Sequence, residues 1–104
     1  MKLTSEAEDD LDNQVKFDRK KIAQEIRDRL STDRDRDNIS YIHKPDFGVE
    51  FHRLKLTNNG LNHRIYFDYQ DSEPIVFAVR HRDYAYSPED LKEVENRLND
   101  IETD

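Results

Sequence analysis

Basic side chains that could hold phosphate groups are concentrated in one short stretch of the chain. Residues 51–67 contain Arg53, Lys55, Arg64 and His63 and no acidic residue. A guanidinium group can bind two phosphate oxygens at once, and a neutral histidine can accept a proton near neutral pH. The whole chain has a formal net charge of -7, so this stretch predicts a local basic strip on an acidic body. A polyanionic ligand would bind at this strip.

A second group of cationic and aromatic side chains follows the most apolar segment, residues 75–79. Its members are Arg80, His81, Arg82, Tyr84 and Tyr86. Tyrosine rings can stack on the splayed bases of single-stranded RNA, and they can equally cover a core with their hydroxyls in water. The sequence leaves both interpretations of the tyrosines open.

Three strands are expected to position these side chains. They run over about 51–56, 63–69 and 75–79, with turns at 57–60 and 70–74. Side chains alternate across a strand, so Arg53 and Lys55 share the face opposite Leu54, and Arg64 shares a face with Tyr66. The third strand is apolar throughout, which predicts that it is covered on both faces at the centre of the sheet.

Helices are expected before and after these strands. Ser5 and Glu8 have the spacing of a capping box at the start of a short helix, and Ala7, Leu11 and Val15 form its apolar stripe. A second helix runs over about 18–31 and a third begins at 87, with stripes at Ile22, Ala23, Ile26 and Leu30 and at Leu91, Val94, Leu98 and Ile101. The charged tract 31–38 is predicted to be a solvated loop. The sequence therefore predicts one α+β domain over residues 1–104, with two N-terminal helices, an antiparallel-rich sheet of three to four strands and one C-terminal helix.

Composition limits the cellular location of the protein and the kinds of metal or cofactor site that it can have. There is no cysteine, so disulfides and thiolate metal sites are excluded. No apolar run approaches the roughly 18 residues of a membrane span, and the amino terminus lacks the pattern of a signal peptide. The histidines also lack the spacing of a helical metal pair. We therefore expect a cytoplasmic protein with no membrane association, no metal and no cofactor.

Two segments resemble the RelE/ParE superfamily of toxins. The opening KLTSEAEDDL is similar to the short first strand and helix start of that family, which read Thr-x-x-Ala-x-x-x-Leu. The segment FHRLKLTNNGLNHRIYFDYQDSEPIVFAVRHRDYAY is similar to its sheet, where a basic strand, an arginine-bearing strand and an apolar strand precede His-Arg and a late tyrosine. The resemblance implies a RelE/ParE-like fold. The acidity of this chain departs from the basic character of active toxins of this kind.

The ribonuclease branch of the family implies a function and a set of site residues. Its members cleave messenger RNA on the ribosome without a metal, and a cognate antitoxin protein blocks them and can join them into oligomers. The implied catalytic residues are Arg53, Lys55, Arg64, Arg80, His81 and Tyr86, and the implied RNA-binding residues are His63, Arg82 and Tyr84. Such cleavage needs a base for the 2′-hydroxyl, charges that stabilise the phosphorane, and a proton donor for the 5′-oxygen. His81, His63 and Lys55 are candidate bases, and the acid and base stay unassigned.

Other functions are compatible with the same residues. The prominent pair of amino-terminal helices favours an inhibitor of DNA gyrase, as in the ParE branch, which cuts nothing. The acidic charge favours a non-catalytic binding or assembly module of the same fold, in a virus or mobile element. Arg53, Lys55 and Arg64 could also be only the solvated face of an antiparallel sheet.

Overall fold

In the described part of the chain, a five-stranded sheet lies between two layers of helix. The structure is a computed structural model, and it describes residues 1–13, 16–30, 38–57 and 60–103. Its elements are β1 (Lys2–Leu3), α1 (Ser5–Asp12), α2 (Lys16–Leu30), β2 (Ile39–Lys44), a 3₁₀ turn (Pro45–Phe47), β3 (Val49–Leu56), β4 (His63–Gln70), β5 (Glu73–His81) and α3 (Pro88–Thr103). The strand order is β1-β5-β4-β3-β2, with β1 parallel to β5 and all other neighbours antiparallel. The predicted α+β class is confirmed.

The expectation of three to four strands is wrong, because the described residues form five. The strand that the sequence did not reveal is β2, which pairs with β3 from Ile39 opposite Leu54 to Lys44 opposite Val49. It is an edge strand, and none of its side chains is fully buried. The alternation of apolar and polar residues that predicts a strand is therefore weak in β2.

Alternation of side chains divides the core into two clusters, one on each face of the sheet. The cluster under α1 and α2 includes Ala7, Leu11, Ile22, Ile26, Leu30, Leu54, Leu56, Ile65, Phe67, Val76 and Val79. The cluster under α3 includes Val49, Phe51, Tyr66, Phe77, Ala78, Leu91 and Val94. The alternation predicted for β3 and β4 is confirmed. A bulge lets the consecutive residues Phe77 and Ala78 of β5 share the α3 face.

The apolar run in β5 is buried throughout, as predicted, because both helical layers cover it. Its place in the sheet differs from the prediction, since β4 is the middle strand and β5 lies between β4 and β1. β1 pairs only with Ile75 and Val76, and the Thr4 amide adds one bond of 2.9 Å to the Val76 carbonyl. Further along that edge, side chains of α1 and α3 bond to the β5 backbone: Asp10 accepts from the Val79 amide, and Arg97 donates to the Phe77 carbonyl.

Short polar side chains cap the helices. Thr4 caps α1, since its Oγ1 accepts a hydrogen bond of 3.2 Å from the Ala7 amide. The role predicted for Ser5 therefore belongs to the residue before it. At the start of α3, Ser87 Oγ accepts a bond of 3.2 Å from the Asp90 amide, as its sequence position predicts.

The turn between β4 and β5 is formed by Asp71 and Ser72, which have φ angles of 53° and 66°. Two consecutive positive φ angles are typical of a tight hairpin whose twist matches the strands. Three predicted features fall on residues outside the described ranges: Val15, the charged tract over 31–37, and Asn58–Asn59. Within the described ranges, no helix is long and apolar enough to cross a membrane.

Candidate phosphate-binding site

The strand register places the predicted basic residues in two rows on the α3 face of the sheet. In the first row, Lys55 of β3 lies opposite Arg64 of β4, and Arg64 lies opposite Arg80 of β5. In the second row, Arg53 lies opposite Tyr66. Partners directly opposite each other in a sheet point to the same face. Side chains from three strands are thus gathered on one surface.

Arg53, Arg64 and Tyr86 lie within electrostatic reach of one another on this surface. Burial lowers the pKa of Arg64, and the charges of Arg53 and Arg82 act in the same direction. Burial raises the pKa of Tyr86, although the positive charges of Arg53 and Arg64 oppose the rise. A phenol and two guanidinium groups from distant parts of the chain therefore share one site. We call Arg53, Arg64 and Tyr86 the basic site.

Two polar atoms of the basic site are buried without a partner of good geometry among the described residues. They are Nε of Arg53 and the hydroxyl oxygen of Tyr86. Leaving a buried donor or acceptor unsatisfied costs about 1–3 kcal/mol, so such groups are rare in folded proteins. The guanidinium of Arg64 does have a hydrogen-bond partner, since its Nη1 donates a hydrogen bond of 3.1 Å to the His63 carbonyl. The unsatisfied pair marks a place where a ligand oxygen would complete the hydrogen bonding.

Tyr86 has an unusual backbone conformation. Its φ angle is 68°, in the left-handed region that tyrosine rarely adopts. Its amide donates a hydrogen bond of 2.9 Å to Oδ2 of Asp90, and its ring stacks on Tyr66 at a centroid distance of 5.8 Å. Residues in this region cost about 1–3 kcal/mol and cluster at functional sites. The surrounding structure therefore fixes Tyr86 in a strained position.

Arg80 lies next to the basic site, but carboxylates surround its charge. Its Nε is 2.8 Å from Asp90, its Nη1 is 3.0 Å from Asp10, and its Nη2 is 3.1 Å from Glu93. Burial alone would lower the pKa of Arg80, but the hydrogen bond with Asp90 and the charge of Asp10 outweigh burial and raise it. The ring of Tyr84 lies 5.5 Å from the guanidinium carbon. The expectation that Arg80 offers its charge to a phosphate does not fit these contacts.

The predicted histidines are on the other face of the sheet. His63 and His81 are register partners, and His63 also pairs with Leu56, whose side chain belongs to the core under α1 and α2. Their ring centroids are 5.3 Å apart. Burial lowers the pKa of His63, and the nearby His81 lowers it further. The structure therefore does not bring the two candidate histidine bases into the basic site.

The remaining predicted residues, Lys55, Arg82 and Tyr84, are exposed at the surface. Arg82 influences Arg64 by its charge. Tyr84 is 42% exposed, so its ring is accessible for stacking. It borders a shallow pocket of about 240 Å³ that is lined by Asp10, Asn13, Val79, Arg80, His81 and Tyr84.

Asp90, a buried carboxylate next to the site, was not predicted from the sequence. It is fully buried at 0% exposure, and it accepts hydrogen bonds from Tyr66, Arg80 and Tyr86. The sequence did contain one relevant pattern, because Asp90 is the third residue after the helix cap Ser87. Acids at that position are usual in capping boxes, so the pattern indicates a helix start and does not reveal the burial of the side chain.

Asp10 was missed as well, and it closes the open edge of β5. Its Oδ2 accepts hydrogen bonds of 2.9 Å from the Val79 amide and 2.7 Å from Nη1 of Arg97. The sequence signal is its position, because Asp10 and Leu11 follow Ala7 at the spacing of a buried helical stripe. Across the described ranges, no cluster of three or more histidine or acidic side chains is arranged to hold a metal ion.

Two comparisons with known sequences found no relative of this chain. No family model matches the chain. A search of curated proteins likewise found no significant match. The relation to the RelE/ParE superfamily therefore stays a prediction from the residues that carry the resemblance.

Proposed function

We propose that this chain is a toxin-like endoribonuclease of the RelE/ParE type that cleaves messenger RNA without a metal. The observation that supports it is the basic site itself: Arg53, Arg64 and Tyr86 meet on one sheet face, and two of their polar atoms are buried without a good partner. Buried, unsatisfied donors of this kind fit the oxygens of a phosphodiester. A purely solvated sheet face would leave these groups in water.

Each group of the basic site has a role in the proposed cleavage. The 2′-oxygen attacks the adjacent phosphorus and the bond to the 5′-oxygen breaks, which leaves a 2′,3′-cyclic phosphate and a 5′-hydroxyl. Arg53 and Arg64 bind the non-bridging oxygens, where charge accumulates in the transition state. Tyr86 is the candidate proton donor for the 5′-oxygen: burial raises its pKa, the charges of Arg53 and Arg64 oppose that rise, and the phenol is protonated at neutral pH. Lys55 lies on the same face, opposite Arg64, and is the remaining candidate for the base that accepts the 2′-hydroxyl proton.

The partners follow from the same proposal. The messenger would be read on the ribosome in the cytoplasm, and a cognate antitoxin protein would inhibit by covering Arg53 and Arg64. Arg82 is exposed and acts on Arg64 by its charge, so it can hold a neighbouring phosphate, and the exposed ring of Tyr84 can stack on a base. The helical layers on both faces of an antiparallel-rich sheet are compatible with the RelE/ParE-like fold that the resemblance implies.

A second candidate is a non-catalytic module that binds RNA phosphates and cuts nothing. Two observations favour it. Arg80 is surrounded by carboxylates, and both candidate histidine bases lie on the opposite face of the sheet. Fewer catalytic groups then face the substrate than the ribonuclease resemblance implies.

Cleavage and binding must be measured separately to distinguish these functions. Purified protein is added to a translating reporter messenger, and the RNA ends are mapped and tested for a cyclic phosphate. Binding is measured with the same RNA sequence carrying 2′-deoxy sugars, which cannot be cut by this chemistry. The Arg53→Gln and Arg64→Gln variants are compared with Arg27→Gln, which changes an exposed arginine on α2, in the other helical layer.

Each outcome selects one function. Cleavage by the wild type that is lost in the two site variants and kept in Arg27→Gln supports the ribonuclease. Binding without cleavage supports the second candidate. An intact messenger at every protein concentration, together with no binding, contradicts both functions, and supercoiling assays with DNA gyrase would then test the remaining alternative.

A further inference from the structure

We infer that Arg80 and Asp90 are positioning residues that hold Tyr86 in place and do not contact RNA themselves. The inference rests on the proposed function, and it assigns to Arg80 a different task from the one that the family resemblance implies. The geometry that supports it is a single buried carboxylate, which joins a strand cation to the strained tyrosine.

The Asp90 carboxylate divides its two oxygens between these neighbours. Oδ1 accepts a hydrogen bond of 2.8 Å from Nε of Arg80. Oδ2 accepts bonds of 2.7 Å from the Tyr66 hydroxyl and 2.9 Å from the Tyr86 amide. The Tyr86 amide also approaches the Tyr66 hydroxyl at 3.3 Å. The backbone of Tyr86 and the ring beneath it are therefore fixed by the same carboxylate oxygen.

This arrangement explains how Tyr86 keeps its left-handed backbone. A tyrosine at φ 68° returns to the ordinary region unless neighbouring contacts prevent it. The bond from its amide to Asp90 and the stacking on Tyr66 are the contacts that prevent it. Without the carboxylate, the backbone relaxes and the phenol leaves its place near Arg53 and Arg64.

Arg80 compensates the buried negative charge of Asp90. A carboxylate at 0% exposure needs a paired cation, and Arg80 supplies it at 2.8 Å. The other two guanidinium nitrogens contact Asp10 and Glu93. A phosphate that approached Arg80 would meet the negative charges of Asp10, Asp90 and Glu93.

The test separates a phosphate ligand from a positioning residue by the salt dependence of RNA binding. Each phosphate contact on a single strand contributes about 0.7 to the slope of log K against log salt concentration. We expect Arg64→Gln to lower that slope by about this amount, and we expect Arg80→Gln and Asp90→Asn to leave it unchanged. In the cleavage assay, Asp90→Asn should lower kcat by about a hundredfold with KM unchanged, as misplaced catalytic groups do. Arg97→Lys is the matched control, because Arg97 lies in the same ion cluster and contacts Asp10 and Glu93.

A measurement without RNA keeps this inference separate from the proposed function. The Tyr86 amide resonance and the phenol titration are followed by NMR and ultraviolet absorbance. Asp90→Asn should shift both toward the values of an unconstrained tyrosine, and Arg97→Lys should shift neither. If the wild type does not cleave RNA, the proposed function fails while the Tyr86 signals still decide the positioning role. If Asp90→Asn does not fold, Tyr66→Phe removes one donor to the same oxygen and should move the Tyr86 amide resonance.

Two results would overturn the inference. One is an unchanged Tyr86 amide in a folded Asp90→Asn or Tyr66→Phe variant. The other is a salt slope that falls in a folded Arg80→Gln variant as much as it does in Arg64→Gln, since that would make Arg80 a phosphate ligand.

Discussion

Arg64 and Arg80 face each other across β4 and β5, yet they have opposite electrostatic surroundings. Burial and the neighbouring cation Arg53 lower the pKa of Arg64. Arg80 is held by three carboxylates, whose influence outweighs burial and raises its pKa. Both guanidinium groups stay charged. The two arginines differ in their partners: carboxylates already pair with Arg80, whereas Arg64 can bind an anionic ligand. We therefore assign them different roles.

The first prediction concerns phosphate binding by the basic site. Arg53→Gln and Arg64→Gln should each weaken binding to uncleavable single-stranded RNA and lower the salt slope by about 0.7. The physical reason is the loss of one released counterion for each lost contact. Fluorescence anisotropy at a series of salt concentrations measures the slope, with Arg27→Gln as the control. Equal slopes in the wild type and the two site variants would show that these arginines contact no phosphate.

The second prediction separates activity from stability at Tyr86. Tyr86→Phe removes a buried hydroxyl that has no well-placed partner among the described residues, so the free energy of unfolding should not fall. The rate of RNA cleavage should fall by about 10²–10⁴-fold, because a proton donor is lost.

Urea unfolding and single-turnover cleavage measure the two quantities for Tyr86→Phe. The control is Tyr69→Phe, which removes a hydroxyl from an exposed tyrosine of β4 and should change neither. A large loss of stability in Tyr86→Phe would mean that the hydroxyl makes a structural bond, and the proposed role as donor would then lose its basis.

The third prediction is a loss of stability in mild acid that depends on His63. Burial lowers the pKa of His63 in the folded state below the ordinary value of 6.5, and His81 and Arg64 act in the same direction while Asp18 opposes them. The unfolded chain therefore binds the proton more readily. Stability is full above a pH of about 6.5 and decreases as the pH falls through that value toward the folded pKa.

The measurement is the free energy of unfolding in urea at about pH 8 and about pH 5.5, where the carboxylates are still largely ionised. The wild type should lose more stability between these two conditions than His63→Asn does. His43→Asn is the control, since His43 is an exposed histidine on β2. Identical pH dependence in the wild type and His63→Asn would contradict the prediction.

Much of the sheet could be predicted because its signals are local. Arg53, Lys55 and Leu54 alternate with a period of two, so the sequence alone indicates which face each side chain occupies. The turn between β4 and β5 is similarly marked by Asp71 and Ser72. β2 was not predicted, because an edge strand buries few side chains and the alternation of apolar and polar residues in it is weak.

The task of Arg80 could not be predicted, because it depends on pairs that are distant in sequence. Asp10 lies 70 positions before Arg80, and Asp90 lies 10 positions after it on a helix. By residue type alone, acids in an acidic chain are interpreted as solvated surface. Only the packing of α1 and α3 against the open edge of β5 makes them a buried cluster.

The last prediction tests that cluster through Asp10. Asp10→Ala removes the acceptor of the Val79 amide and a partner of both Arg80 and Arg97. Breaking a buried ion pair by removing one partner typically costs about 3–5 kcal/mol, because the remaining charge stays buried.

Asp12→Ala is the matched control, since Asp12 lies on the same helix and pairs with an exposed Arg19 at 2.7 Å. An exposed pair of this kind contributes under about 1 kcal/mol. Urea unfolding of both variants at low and high salt measures the difference, which should persist at high salt because buried pairs are poorly screened. Similar losses for Asp10→Ala and Asp12→Ala would mean that the cluster does not stabilise the edge of β5.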